Sequence, residues 1–240
     1  MLALGALIGG FVNGLAGFGT GLFALVFFLN VMVPLQAVAV IVAFSVFAGG
    51  LGLYVVYRDI GPNKHAIMRL IAPGLIGVPI GVWALSYVSV DMLRILVALL
   101  LVLYGGYFTI RAELPQLKGR FVGLDMLIGF IGGVLGGLAA LSGALPTMWY
   151  AMRAISKEHT RAILQCYNFT LLSITLTLLM ANGAFDEAVI IYCIITIPIA
   201  MAAARLGLMV YARLTDNQFR RLLVSLTLFC GLLMVYQIFR

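Results

Sequence analysis

The sequence predicts an all-α polytopic membrane protein made of two inverted repeats, each a broken, re-entrant helical hairpin followed by three transmembrane helices. Three observations carry that expectation: the apolar excess of the whole chain, a glycine-rich interruption that occurs twice, and the placement of the basic residues. Hydrophobic residues are 64% of the 240 and charged residues only 10%, against roughly 45–50% and about 25% in soluble domains. A soluble fold of this length still needs polar cover on its outside, so this much apolar surface belongs in lipid.

A helix crossing the ~30 Å hydrocarbon layer needs about 20 apolar residues. The first apolar stretch, 2–33, is too long for one crossing, and it is interrupted by Gly9-Gly10-Phe11-Val12-Asn13-Gly14-Leu15-Ala16-Gly17-Phe18-Gly19-Thr20-Gly21. Its start has no basic n-region, so it reads as a membrane segment rather than a cleaved signal peptide. Residues 36–57 form a clean span, 58–65 a polar turn, and 67–88 and 92–110 two more spans joined by Ser89-Val90-Asp91. The most polar connection, 111–120, divides the chain into a first repeat over 1–110, a cytoplasmic linker over 111–121 and a second repeat over 122–240.

The second half repeats the order. Residues 122–150 are long and break at Ser142-Gly143-Ala144-Leu145-Pro146, 153–161 form a basic connector, and spans follow at 162–181, 188–210 and 222–239. Gly10, Gly14 and Gly17 align with Gly129, Gly133 and Gly136, and at another constant offset Gly81, Arg94 and Gly105 align with Gly207, Arg220 and Gly231. Shared order and shared breaks indicate a four-segment unit present twice.

Basic residues set orientation by favouring the cytoplasmic side. Arg58, Lys64 and Arg69 mark one cytoplasmic connection, Arg111, Lys118 and Arg120 a second, and Arg153, Lys157 and Arg161 a third. The second broken segment thus starts and ends on one side, as a re-entrant hairpin does. If the first does likewise, each half crosses three times and the halves are inverted, as in many secondary transporters. In a rival topology both broken segments cross fully, giving eight spans and parallel repeats. Arg94 is the one discordant charge, with Asp91 three residues earlier as its expected partner.

Chemistry is expected at the breaks. Glycine-rich interruptions inside lipid are tolerated only against protein or a water-filled cavity. Thr20 and Ser142 read as N-caps of the helices that resume, with Pro146 in a first turn. A helix start of this kind, at Thr20-Gly21 or Ser142-Gly143, offers free N–H groups and the positive end of the dipole to an anion. Asn13, Gln165 and Asn168 are polar side chains inside apolar segments and are expected to face the interior. Arg205, the one basic residue well inside a span, reads either as a forked donor for sulfonate, sulfite or carboxylate oxygens or as a snorkelling residue.

Other classes lack support. The net charge of +7 is spread over segment ends rather than gathered on a water-exposed face, so nucleic acid is not an expected partner. Cys166, Cys193 and Cys230 lie in separate apolar segments, and no Cys/His spacing of a metal site occurs. His65 and His159 sit in polar connectors. No nucleophile–base pattern or phosphate loop is present, so neither an enzyme nor a cofactor is expected. No carboxylate is seen in the middle of a span.

The stretch 8–21 and its second copy at 128–146 resemble the TauE/SafE sulfite exporter family. The resemblance implies transport of small anions, with sulfite, organosulfur and carboxylate compounds among the substrates, in the inner (plasma) membrane. It maps the family's glycine-rich site onto Gly14, Gly17, Gly19, Gly21, Gly133 and Gly136. Thr20, where a further glycine is common, and Leu138-Ala139-Ala140-Leu141, in place of a more glycine-dense run, depart from the family pattern. The alternative is a non-transporting membrane subunit or assembly factor whose glycines are packing surface. A homodimer is left open.

Overall fold

The computed structural model describes residues 1–110, 119, 121–153 and 155–239. These form α1 (Leu2–Ala16), α2 (Thr20–Phe28), α3 (Pro34–Leu85), α4 (Val90–Ile110), α5 (Val122–Ala139), α6 (Ala144–Ala151), α7 (Lys157–Ala181), α8 (Glu187–Arg213) and α9 (Asp216–Ile238). The expected linker charges Arg111, Lys118 and Arg120, and the side chains of Lys157, Arg220 and Arg221, lie outside the described residues. Among the described residues, five stretches are long and apolar enough to cross a bilayer. The outer surface is apolar too, with Ile76, Trp83, Tyr87, Ile194 and Phe229 exposed. Lipid is the solvent such an exterior needs, and the chain is a multi-pass membrane protein.

Both broken segments fold back on themselves. A Cβ at Gly5 would lie 2.5 Å from the Phe28 ring, and one at Gly9 3.1 Å from the Ala24 methyl, so α2 returns antiparallel along α1. In the second hairpin the Trp149 indole N–H donates to Asp125 at 2.7 Å, and a Cβ at Gly132 would meet Pro146 at 3.4 Å. The Arg153 guanidinium closes the open end, donating to the Gly119 carbonyl at 2.8 Å and lying 5.1 Å from the Phe121 ring. These pairings exclude the eight-span arrangement, in which each segment runs straight through. They also bury a carboxylate, Asp125, in the first turn of α5, where it joins the two arms of the hairpin.

The expected polar turn at 58–65 is instead helical, inside a 52-residue α3. No residue between 58 and 65 takes the left-handed conformation used by tight helix–helix turns. The helix nevertheless bends back. A straight helix rising about 1.5 Å per residue would hold Gly49 and Gly74 some ~38 Å apart. Yet a Cβ at Gly49 would lie 3.5 Å from Phe169 and one at Gly74 2.8 Å from Leu171, neighbours on α7. Pro62 lies in the intervening stretch, where it removes one helical hydrogen bond and crowds the preceding turn. The Asn63 side-chain amide satisfies the Asp59 carbonyl there at 2.7 Å. The two expected spans survive as the arms of one bent helix.

The arms explain the packing. α1 lies along α8, α5 along the second arm of α3, and α4 along α9. Both hairpin contacts are glycine-to-backbone. A Cβ at Gly10 would be 2.7 Å from Ala200 Cα, and one at Gly14 2.7 Å from Ala204 Cα. On the other side, a Cβ at Gly133 would be 2.8 Å from Gly74 Cα, and one at Gly137 2.7 Å from the Val82 nitrogen. Without a hydrophobic drive between helices in lipid, such close approach supplies the association energy through dispersion.

The connections are fixed by caps. Ser156, Asp186 and Thr215 each accept the N–H three residues on, at the starts of α7, α8 and α9. At Asp186, the Val189 N–H and the Gln36 amide hold the carboxyl below the ordinary carboxylate range. Arg94 is anchored as well as paired: it donates to the Leu29 carbonyl at the end of α2 at 3.1 Å and lies 3.7 Å from Asp91. A cation at a helix C-terminus meets the negative end of the dipole, which accounts for a basic residue at this position.

Candidate functional site

The first break begins where α1 ends. Gly17 takes the left-handed conformation at φ 76°, and its N–H returns to the Asn13 carbonyl at 2.7 Å. Gly19 is left-handed too, at φ 86°. A side chain at either position would be strained, so these glycines are required by the backbone itself. In the second break the equivalent position is Ala140, the one non-glycine residue at positive φ among the described residues, at 56°. An alanine held there costs about 1–2 kcal/mol. Strain of this kind persists only where surrounding contacts impose it.

The two breaks meet. A Cβ at Gly21 would lie 2.5 Å from the Ala140 carbonyl oxygen and 2.8 Å from that of Ala139. A Cβ at Gly143 would lie 2.6 Å from the Phe18 Cβ, and one at Gly136 2.9 Å from the Ser142 Cβ. The Asn13 amide donates to the Thr20 hydroxyl at 2.7 Å, across the first break. The Ser142 hydroxyl donates to the Asn168 carbonyl oxygen, and the Asn168 amide reaches the Gly17 carbonyl at 3.4 Å. Asn168 therefore ties both breaks together from near the middle of α7. Asn13, Thr20, Ser142 and Asn168 are all buried.

The expected N-caps shift by one residue. Gly19 precedes α2 and Gly143 precedes α6, and neither helix has a side-chain cap. Thr20 is instead the first helical residue, its hydroxyl engaged by Asn13. Ser142 points to Asn168. Side-chain capping needs a short polar residue with extended backbone at the cap position, and glycines occupy it in both hairpins. The first-turn N–H groups of two helices are thus left without a side-chain acceptor, beside converging polar side chains.

Other expected site residues lie elsewhere. Gly14 and Gly133 face Ala204 and Gly74 in the helix–helix seams rather than the space between the breaks. Arg205 is exposed on the outside of α8 and does not join the cluster. Its neighbours Ala203, Ala204 and Gly207 form the buried face of α8, so helical periodicity turns position 205 outward. That placement fits the snorkelling reading of this arginine.

Two residues join the site that sequence reading left out or placed elsewhere. Gln165, one turn before Asn168, donates to the Gly49 carbonyl at 2.9 Å, while its own carbonyl oxygen lies beside Gly17 without a partner. Arg161, expected to be a cytoplasmic orientation charge, is buried at 6% exposure. It donates to the Gly14 carbonyl at 2.9 Å and, more weakly, to that of Leu15 at 3.5 Å, with the Tyr211 ring centroid 3.9 Å away. The signal was present: positions 161, 165 and 168 recur at i, i+4 and i+7, one face of a helix.

The sequence profile described as "Sulfite exporter TauE/SafE" matches residues 1–234. A curated relative from Cupriavidus necator (strain ATCC 17699 / DSM 428 / KCTC 22496 / NCIMB 10442 / H16 / Stanier 337), "Probable sulfite/organosulfonate exporter TauE", is 27% identical over 217 residues, covering 86% of this chain and 82% of the relative. No solved structure matches.

Proposed function

We propose, from the premise that this chain belongs to the sulfite exporter TauE/SafE family, that it carries sulfite or a small organosulfonate out across the inner (plasma) membrane. The substrate binds between the two hairpin breaks, held by the first-turn N–H groups of α2, by the Leu145 N–H of α6, whose neighbours are the Leu141-bonded Ala144 and the donorless Pro146, and by Asn13, Thr20, Ser142 and Asn168. The single observation behind this reading is that two helix breaks from opposite halves of the chain lie against each other and share Asn168. Helix N-termini favour negative charge, and glycines at 17, 19, 21, 136 and 143 let the segments around the breaks approach one another closely. Export is downhill for an anion, because a potential negative inside drives it outward by about 2.3 kcal/mol per charge per 100 mV.

In this reading the halves are inverted repeats. α1 and α2 dip from the outside and α5 and α6 from the cytoplasm, consistent with the basic residues near 58–69 and 153–161 and with the acidic Asp186 and Glu187 at the opposite end. A cysteine introduced at Glu158 is expected to react with an impermeant maleimide only from the cytoplasmic side of oriented membranes. Labelling from outside would end the inverted arrangement.

Transport itself is tested by sulfite and ethanesulfonate flux in proteoliposomes containing the parent chain, Gly17→Leu or Gly136→Leu. Saturable flux in the parent and at least a tenfold loss in both variants is expected. A parent chain carrying no sulfur oxyanion, sulfonate or carboxylate would leave the protein a non-transporting subunit.

A further inference from the structure

Building on the exporter reading, we propose that Arg161 provides the positive charge that the transported oxyanion neutralises, with Gln165 and Asn168 forming the polar stripe that leads from it to the breaks. Arg161 is 6% exposed and lies in a stretch long and apolar enough to span the membrane. Its partners among the described residues are neutral: the Gly14 and Leu15 carbonyls and the side chain of Tyr211. Its Nε–H is buried without an acceptor. Among the described residues the one ion pair is Arg94 with Asp91, and Glu158, one turn before Arg161, is exposed.

A buried cation without a counter-charge is costly. The carbonyls at the end of α1 offset this only in part, since the helix dipole amounts to about half a charge at its end. Among the described residues no carboxylate supplies the full negative charge this site calls for. The established substrate type of the family, an anion, has the sign to supply it.

Geometry narrows the anion class. Guanidinium presents its N–H groups as a planar fork, which suits two oxygens on one centre and gives no such advantage to a spherical halide. Sulfite, a sulfonate or a carboxylate has that pair of oxygens. One turn on, Gln165 is 1% exposed and has a carbonyl oxygen with no donor. That oxygen suits a substrate end that donates, such as an amine or hydroxyl at the far end of an organosulfonate. A further turn on, Asn168 reaches both breaks. The three side chains therefore describe a path about ten ångströms long on one face of α7, given roughly 1.5 Å per residue.

The test separates this role from helix capping. Sulfite KM and thermal unfolding are measured for the parent, R161K and Q165E, all as purified full-length chains reconstituted in proteoliposomes. R161K keeps the cation but loses the fork. Q165E keeps Arg161 and places a carboxylate within one turn of it as a built-in competitor for the substrate.

Both variants are expected to raise the sulfite KM at least tenfold while staying folded, Q165E gaining a partner for Arg161 as it loses the amide that donates to the Gly49 carbonyl. A sulfite KM within twofold of the parent in folded Q165E would make Arg161 a structural cap only, whatever R161K does. Sulfite, ethanesulfonate and acetate all failing to move in the parent would instead overturn the exporter reading, and this proposal with it.

Discussion

Gly14→Ala is expected to leave little folded protein, and Gly133→Ala to do the same. At both positions the added methyl would strike backbone, against Ala204 and Gly74 respectively. Backbone cannot swing aside as a flexible side chain does, so α1 must part from α8, or α5 from the second arm of α3. Overpacking of this kind costs about 1–3 kcal/mol and at times more. Parting the helices also forfeits the close contact on which association in lipid depends. Against a typical total stability of about 5–15 kcal/mol, that loss is large.

Gly123→Ala is the control, since nothing lies within 4 Å of a Cβ at that exposed position. It should be neutral or slightly stabilising, because a glycine in a helix costs about 0.5–1 kcal/mol relative to alanine. Size-exclusion profiles and thermal unfolding of the three purified variants decide the matter. Gly14→Ala melting with the parent would mean that the seam has slack the geometry denies.

Asn168→Leu should nearly abolish transport while leaving a weakened but folded protein. The substitution is close in volume, so no large cavity opens. It does leave the Ser142 hydroxyl without its acceptor and removes the amide facing the Gly17 carbonyl. A buried group left unsatisfied costs about 1–3 kcal/mol, and here the loss frees the two breaks from one another. Sulfite flux is expected to fall at least tenfold.

Thr175→Val on the same helix is the matched control. Thr175 is buried and its hydroxyl returns to the Leu171 carbonyl at 2.9 Å, within its own helix. It should keep parental flux. Equal flux in both variants would detach Asn168 from substrate handling.

Much of this architecture was legible because lipid makes simple demands on a sequence. Apolar length marked the spans, and glycine density marked both breaks. The basic connector around Arg153 correctly implied that the second broken segment begins and ends on one side, as the Asp125–Trp149 and Arg153–Gly119 bonds now place it. The Asp91–Arg94 pair followed from spacing alone. Glycine spacing aligns Gly10 and Gly14 with Gly129 and Gly133, and a Cβ at any of the four would strike the backbone of the neighbouring helix. G-x-x-x-G patterns look alike when moved by four residues, and only the partners on α8 and α3 tell one register from the next.

The polar stretch around Pro62 reads as a turn in the sequence. The chain instead bends there with its helical pattern intact, and only contacts to both sides of α7 reveal it.

Sequence by itself determined that this chain lives in a membrane, that it carries two interrupted hairpins, and that its polar side chains are too few to be incidental. Tertiary structure decided which of those side chains meet. Arg205 reads as a charge well inside a span and Arg161 as the last charge of a basic connector, yet Arg205 faces outward and Arg161 is buried beside the end of α1. A helix fixes the angle between successive side chains but not the direction in which the whole cylinder is turned. That rotation is set by packing, here by the small residues of α8 closing on α1 and by the bent α3 enclosing α7, and it assigns a lone charge to lipid or to the site.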